Sequence, residues 1–161
     1  MEPNSRYTFN KRAFFTPEDK RDIGSGLELW RGIFQSVRPA IGRLVVNVDL
    51  TTGVMYKGGP LIALCINFFG RPPNTPPTML SPANGFPDMQ RINLQKFLTG
   101  VRVQVETTGS RPRVIRALSL VGANAFSFST RAGVQMTVAQ YFASIGKPLR
   151  YPGVICVQVC T

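Results

Sequence analysis

The sequence predicts an α+β fold, a small β-barrel with helical caps, and three observations carry that expectation. Apolar residues recur with a period of two in several short stretches. Glycine-containing turns separate these stretches at hairpin spacing. Between them lie short segments framed by helix-start and helix-stop residues, none long enough for a bundle or a doubly wound sheet. The length of 161 residues is that of one ordinary domain, which buries roughly 70% of its unfolded surface.

Taken in order, residues 1–26 are polar and basic. Thr16-Pro17-Glu18-Asp19 combines a threonine cap, a proline at the first helical position and acids facing the helix dipole, so a short helix is predicted there, stopped by Gly24 and Gly26. Leu44, Val46, Val48 and Leu50 then alternate with Arg43, Asn47 and Asp49, the pattern of a half-buried strand. Leu29 to Val37 is its predicted partner, and Thr51-Thr52-Gly53 reads as a turn before Val54-Met55-Tyr56-Lys57. Gly59-Pro60 opens a largely buried helix whose stripe is Leu61, Leu64, Cys65 and Phe68, widened by Ile62 and Ile66.

Residues 70–88 hold six of the chain's 13 prolines and are predicted to be an extended, mobile loop without regular structure. Asp88 is placed to cap a helix to about Leu98, closed by a left-handed Gly100. Val101, Val103 and Val105 alternate with Arg102, Gln104 and Glu106 as a half-buried strand. Gly109-Ser110 turns that strand into a second one over Arg113 to Val121. A short strand around Phe126 and Phe128 follows, then a helix from Thr137 to Gly146 with Gln140 at capping-box spacing, and last an apolar strand over Val154 to Val159.

Composition narrows the chemistry. With no histidine, the Ser-His-Asp and Cys-His modes of catalysis and the commonest metal ligand are excluded. Cys65, Cys156 and Cys160 cannot fill a four-ligand zinc site and read as reduced, mostly buried thiols of a soluble intracellular protein, cytoplasmic or nuclear. The net charge of +11 is uneven: residues 1–88 hold ten basic and seven acidic side chains, residues 89–161 nine basic ones and only Glu106. Such a field points to a polyanion as partner. A single acid after Asp88 supplies no carboxylate pair for hydrolysis or metal binding, so no enzyme activity, cofactor or metal is expected.

Two long motifs in order carry a family resemblance. Trp30-Arg31-Gly32-Ile33-Phe34-Gln35-Ser36-Val37-Arg38-Pro39, followed by Asn47-Val48-Asp49 and Met55-Tyr56-Lys57, resembles the first linker of eukaryotic Argonaute proteins of fungal type. Thr137-Val138-Ala139-Gln140-Tyr141-Phe142 and Leu149-Arg150-Tyr151-Pro152 are similar to signature stretches of the PAZ domain that follows that linker. The resemblance implies a basic N-terminal segment over 1–26, a linker hairpin over 27–58 and a PAZ-like domain over 60–161. It also implies an oligonucleotide-binding-like barrel with an inserted strand-helix lobe, and a cleft that holds the 3′ end of a small single-stranded guide RNA without cleaving it. Family members continue beyond the position of Cys160 with a strand that completes the barrel, so an incomplete barrel with one unpaired edge is expected here.

Carried over residue by residue, the family's phosphate-binding tyrosine is Tyr141, its arginine after the first hairpin is Arg113, and its insert aromatic is Phe128, with Phe126 the alternative. Three family positions are replaced, by Thr107, by Ile115 and by the stretch Ile145-Gly146-Lys147, and Lys147 restores a charge. Arg111, Arg116, Arg131 and Arg150 supply further positive charge. From the residues alone, Tyr141 reads rather as a staple against Met136, Phe126 and Phe128 as core, and Arg111, Arg113 and Arg116 as a solvated strand edge; the resemblance reverses this for Tyr141 and Arg113. Two functions follow: an RNA-binding module of the silencing pathway, or a structural fragment with a decayed pocket that acts through other silencing proteins. No membrane partner is expected.

Overall fold

The computed structural model describes residues 8–9, 13–105, 111–130 and 133–160. The fold is α+β, with antiparallel sheets, three helices and no closed barrel among the described residues. The chain divides into two compact units, Met1–Arg71 and Pro72–Thr161.

The first unit is a sheet of order β1-β2-β3-β4, formed by β1 (Thr8–Phe9), β2 (Ala13–Gly24), β3 (Leu27–Ala40) and β4 (Arg43–Tyr56), followed by helix α1 (Leu61–Phe68). The predicted helix after Thr16 is instead part of β2. β3 offers that segment a strand to pair with, and tertiary pairing outweighs local helix signals. Those signals survive as an irregularity: pairing runs from Thr16↔Arg31 to Arg21↔Leu29 with a register shift between them. Pro17 lies in that interval, where a residue without an N–H is tolerated, and the Thr16 hydroxyl accepts from the Glu18 N–H at 3.3 Å.

β4 is also continuous where a turn was predicted. All fourteen residues of β4 pair in flush register with β3, from Leu27↔Tyr56 to Ala40↔Arg43. Gly53 serves packing, not turning. A Cβ there would stand 2.7 Å from Phe15 Cε1, and one at Gly32 would stand 2.7 Å from Phe15 Cδ1. The buried Phe15 ring therefore lies across two glycines on neighbouring strands.

The alternation in β4 also comes out inverted. Leu44, Val46, Val48 and Leu50 are exposed, whereas Asn47, Thr51 and Gly53 on the other face are half-buried. The burial of α1 is concentrated at Leu64, Cys65 and Ile66, with Ile62 exposed.

In the second unit, the proline-rich stretch contains two 3-10 turns, Pro77–Leu80 and Pro82–Asn84, each started by proline. This corrects the expectation of no regular structure: proline's fixed φ suits the first position of a helical turn, and Leu80, Ser81 and Phe86 are buried. Helix α2 (Asp88–Leu98) has the predicted span, with Gly100 at φ 89°. The cap position is Pro87; Asp88 makes no cap bond and instead accepts from Arg91 Nε at 2.7 Å.

α2 buries Leu94 and Leu98, one turn apart, and packs on strand β6 (Arg113–Gly122). β6 is the centre of a sheet of order β5-β6-β9, with β5 (Arg102–Val103) and β9 (Ile155–Val159) at its edges. Val101, Val103 and Val105 are half-buried as the alternation predicts. The Gly109-Ser110 turn, Glu106 and Thr107 lie outside the described residues. β9 pairs with β6 alone, which leaves its other edge open among the described residues. A separate hairpin of β7 (Ser127–Ser129) and β8 (Gln135–Thr137) leads into helix α3 (Val138–Ser144).

Candidate nucleic-acid interface

β7, β8 and α3 form a small lobe whose construction begins at Thr137. Its hydroxyl accepts from the Gln140 N–H at 3.2 Å, and the Gln140 side chain accepts from the Thr137 N–H at 2.8 Å, the predicted capping box. Two further first-turn amides reach back to the chain entering the lobe. Val138 N–H donates to Phe126 O at 3.0 Å and Ala139 N–H to Ala123 O at 2.9 Å. Phe126 thus contributes to the site through its carbonyl, and its half-buried side chain lies before β7, not in it.

This anchoring sets Tyr141 on the exposed side of α3 against the β7 hairpin. The Phe128 and Tyr141 rings meet edge to face with centroids 5.7 Å apart and planes at 74°. Phe142 meets Tyr141 in the same manner, at 5.7 Å and 84°. Edge-to-face pairs at this spacing are favourable beyond their burial, and they hold an exposed aromatic rigid. The ring that stands against Tyr141 across the lobe is thus that of Phe128, while Met136 pairs with Phe128 across the hairpin.

The predicted cations are spread over unit 2. Arg113 opens β6, and its Nη1 donates to Cys160 O at 3.4 Å, tying it to the end of β9. Arg111 is exposed just before that strand. Arg116 is exposed at the register shift between Ile115↔Val159 and Ala117↔Gln158, where β6 carries an extra residue; such bulges re-aim side chains. Ile115 itself is core. Lys147 is exposed directly after α3, with its N–H donating to Phe142 O at 2.9 Å. The Arg150 guanidinium lies 5.6 Å from the Tyr151 ring centroid. Arg131 lies outside the described residues. Among the described residues no hydrogen bond or ring contact joins Arg113 to the Phe128–Tyr141 pair.

Phe142 and Tyr151 were not singled out from the sequence. Each directly follows a residue that was, and adjacency in the motif is the signal that would have found them. The thiols offer no competing chemistry at this lobe. Burial pushes Cys65 up to about 12 and also raises Cys156, while Cys160 is exposed.

Residues 10–57 match the Argonaute linker 1 domain family. Among solved structures, a Drosophila Argonaute 2 PAZ domain, described for its structure and nucleic acid binding, is 28% identical over 46% of this chain and 67% of its own, with a TM-score of 0.39. A second structure of that domain, described for 3′ end recognition of nucleic acids, is 24% identical over 62% of this chain and 80% of its own, at 0.41. Drosophila Piwi is 17% identical over 96% of this chain, which spans 19% of Piwi, at 0.38. The family model that this chain matches is that of the Argonaute linker 1 domain, at residues 10–57.

Proposed function

We propose that the chain is an RNA-binding module of the silencing pathway that holds the 3′ end of a small single-stranded guide RNA and does not cleave it. The observation that carries this reading is the edge-to-face set Phe128, Tyr141 and Phe142, held rigid on an exposed lobe. Arg111, Arg113, Arg116, Lys147 and Arg150 lie in the same unit. Single strands are bound in this way, with aromatic faces taking bases and cations tracking phosphates. The motifs around Tyr141 and Tyr151 and the linker 1 match support the same family setting. Such a role places the protein in the cytoplasm or nucleus, alongside other silencing proteins.

The test is a fluorescence titration with single-stranded RNA at two salt concentrations. Phe128→Ala or Tyr141→Ala should each cost about 1–3 kcal/mol through lost stacking. Tyr141→Phe, which removes only a hydroxyl, should cost about 1 kcal/mol or less. Arg113→Ala should weaken binding and flatten the salt slope by about 0.7 log units per log unit. If both aromatic truncations leave affinity unchanged, the lobe is structural and the reading fails.

A further inference from the structure

Helix α3 ends in a turn that ties two of the proposed contact residues to one side chain. Gly146 stands in the left-handed region at φ 72°, its N–H donates to Ala143 O at 3.1 Å, and the Lys147 N–H donates to Phe142 O at 2.9 Å. These are the two reverse bonds of a Schellman end, which folds the chain back so that the Lys147 backbone lies beside Phe142. Pro148 follows, and a residue before proline has little backbone freedom. Lys147 is therefore fixed on both sides. Its exposed side chain starts from a set place, although the stem itself swivels.

Phe142 reaches the other contact residue through its ring, which meets Tyr141 edge to face at 5.7 Å on α3 itself. One residue thus holds Tyr141 by its side chain and Lys147 by its carbonyl. In such a turn the place that Lys147 fills commonly carries an apolar residue, packed on the one that stands where Phe142 does. A lysine there spends that contact on a charge. No acid follows Glu106 in the sequence, so the lobe offers Lys147 no carboxylate, and its charge is left for an anion from outside.

We propose that Phe142 and Gly146 are positioning residues of the RNA site, which hold the Tyr141 ring and the root of the Lys147 side chain as one unit. Both then act on the same nucleotide, the ring on its base or sugar and the ammonium on its phosphate. The inference rests on the RNA reading given above.

The test is fluorescence anisotropy of a labelled single-stranded oligouridylate on the full chain over a range of salt, with circular dichroism melting of each variant. Tyr141→Ala and Lys147→Ala should each weaken binding, and the double variant should bind about three-fold or more tighter than the product of the two single losses. Lys147→Ala should flatten the salt slope by about 0.7 log units per log unit. Gly146→Ala removes no charge, and a Cβ there meets nothing within 4 Å, so only the backbone angle is disturbed. It should nonetheless flatten the slope toward that of Lys147→Ala. Gly146→Asn, which tolerates the left-handed region, should restore it. Phe142→Leu keeps an apolar side chain, loses the ring contact and should abolish the coupling between Tyr141 and Lys147. A Gly146→Ala slope equal to that of the wild type overturns the proposal, as do strictly multiplicative losses at Tyr141 and Lys147. If neither of those two single substitutions changes affinity, the RNA reading itself fails and the proposal falls with it.

Discussion

Ser119 shows how much one hydroxyl can hold together. It is buried on β6 within the interval between Leu118↔Val157 and Gly122↔Ile155, where two extra residues interrupt the ladder. Its Oγ donates to Val121 O at 2.6 Å and accepts from the Cys156 N–H at 2.7 Å. The neighbouring Leu118 N–H is satisfied by Gln95 Oε1 of α2 at 2.9 Å. Ser119→Ala should therefore remove the partner of the part-buried Cys156 amide and of the Val121 carbonyl and cost about 1 kcal/mol in urea unfolding, with faster amide exchange at Cys156. In the first unit, buried Glu28 accepts from Lys20 Nζ at 3.0 Å and Trp30 Nε1 at 3.1 Å. The Lys20 hydrogen bond holds its carboxyl below the usual glutamate range, against the opposing effect of burial. A depressed folded-state value means that stability is fully present above the ordinary glutamate pKa and is lost as pH falls through the folded one. Thermal melts should show an acid loss that shrinks in Glu28→Gln; an unchanged acid limb would show that the pair contributes nothing.

Strand β4 and the Phe15 ring lead to an expectation opposite in sign to local propensity. Valine is the better strand residue, yet Gly53→Val would place side-chain atoms where Phe15 Cε1 stands 2.7 Å and Met55 Cε 3.1 Å from a Cβ. The substitution should destabilise by about 1–3 kcal/mol through overpacking, and Phe15→Leu in the same chain should recover part of the loss. A stabilised single variant would show that the ring is free to move aside. The same strand explains which elements could be read from sequence. Helix α2, strands β6, β7 and β9, and the Thr137 capping box were legible because their signals are local. The strand at Thr16, the continuity through Gly53 and the exposed aliphatic face were not, because each depends on which strand lies alongside. The site divided in the same manner: Tyr141 and Phe128 were named from motifs, but their contact, and the part played by Phe142, required the hairpin that sets them together.

Taken whole, the molecule has a charge that hardly responds to pH near neutrality. It has 19 lysines and arginines, 8 acids and no histidine, and in their ordinary ranges carboxylates finish ionising below pH 6 while lysine and arginine begin to lose protons well above pH 8. RNA affinity at fixed salt should accordingly stay level between about pH 6 and 7.5. A change of more than about two-fold across that interval would mean that a titrating group sits at the contact. The sign of the proposed interaction follows from composition, whereas its location does not, since the cations divide among a strand start, a bulge and loops.

The first turn of α3 has a consequence for how a nucleic acid can be gripped. Its leading amides are already engaged by Phe126 O, Ala123 O and the Thr137 hydroxyl. A helix N-terminus can cradle a phosphate only with amides left over, and here they are spent on the fold. Any anion at this lobe must be met by side chains on long, swivelling stems, from the flank and without fixed geometry. Strands ending in a phosphate, a phosphorothioate or a plain hydroxyl should thus compete on nearly equal terms, and an excess of inorganic sulfate should displace them all alike.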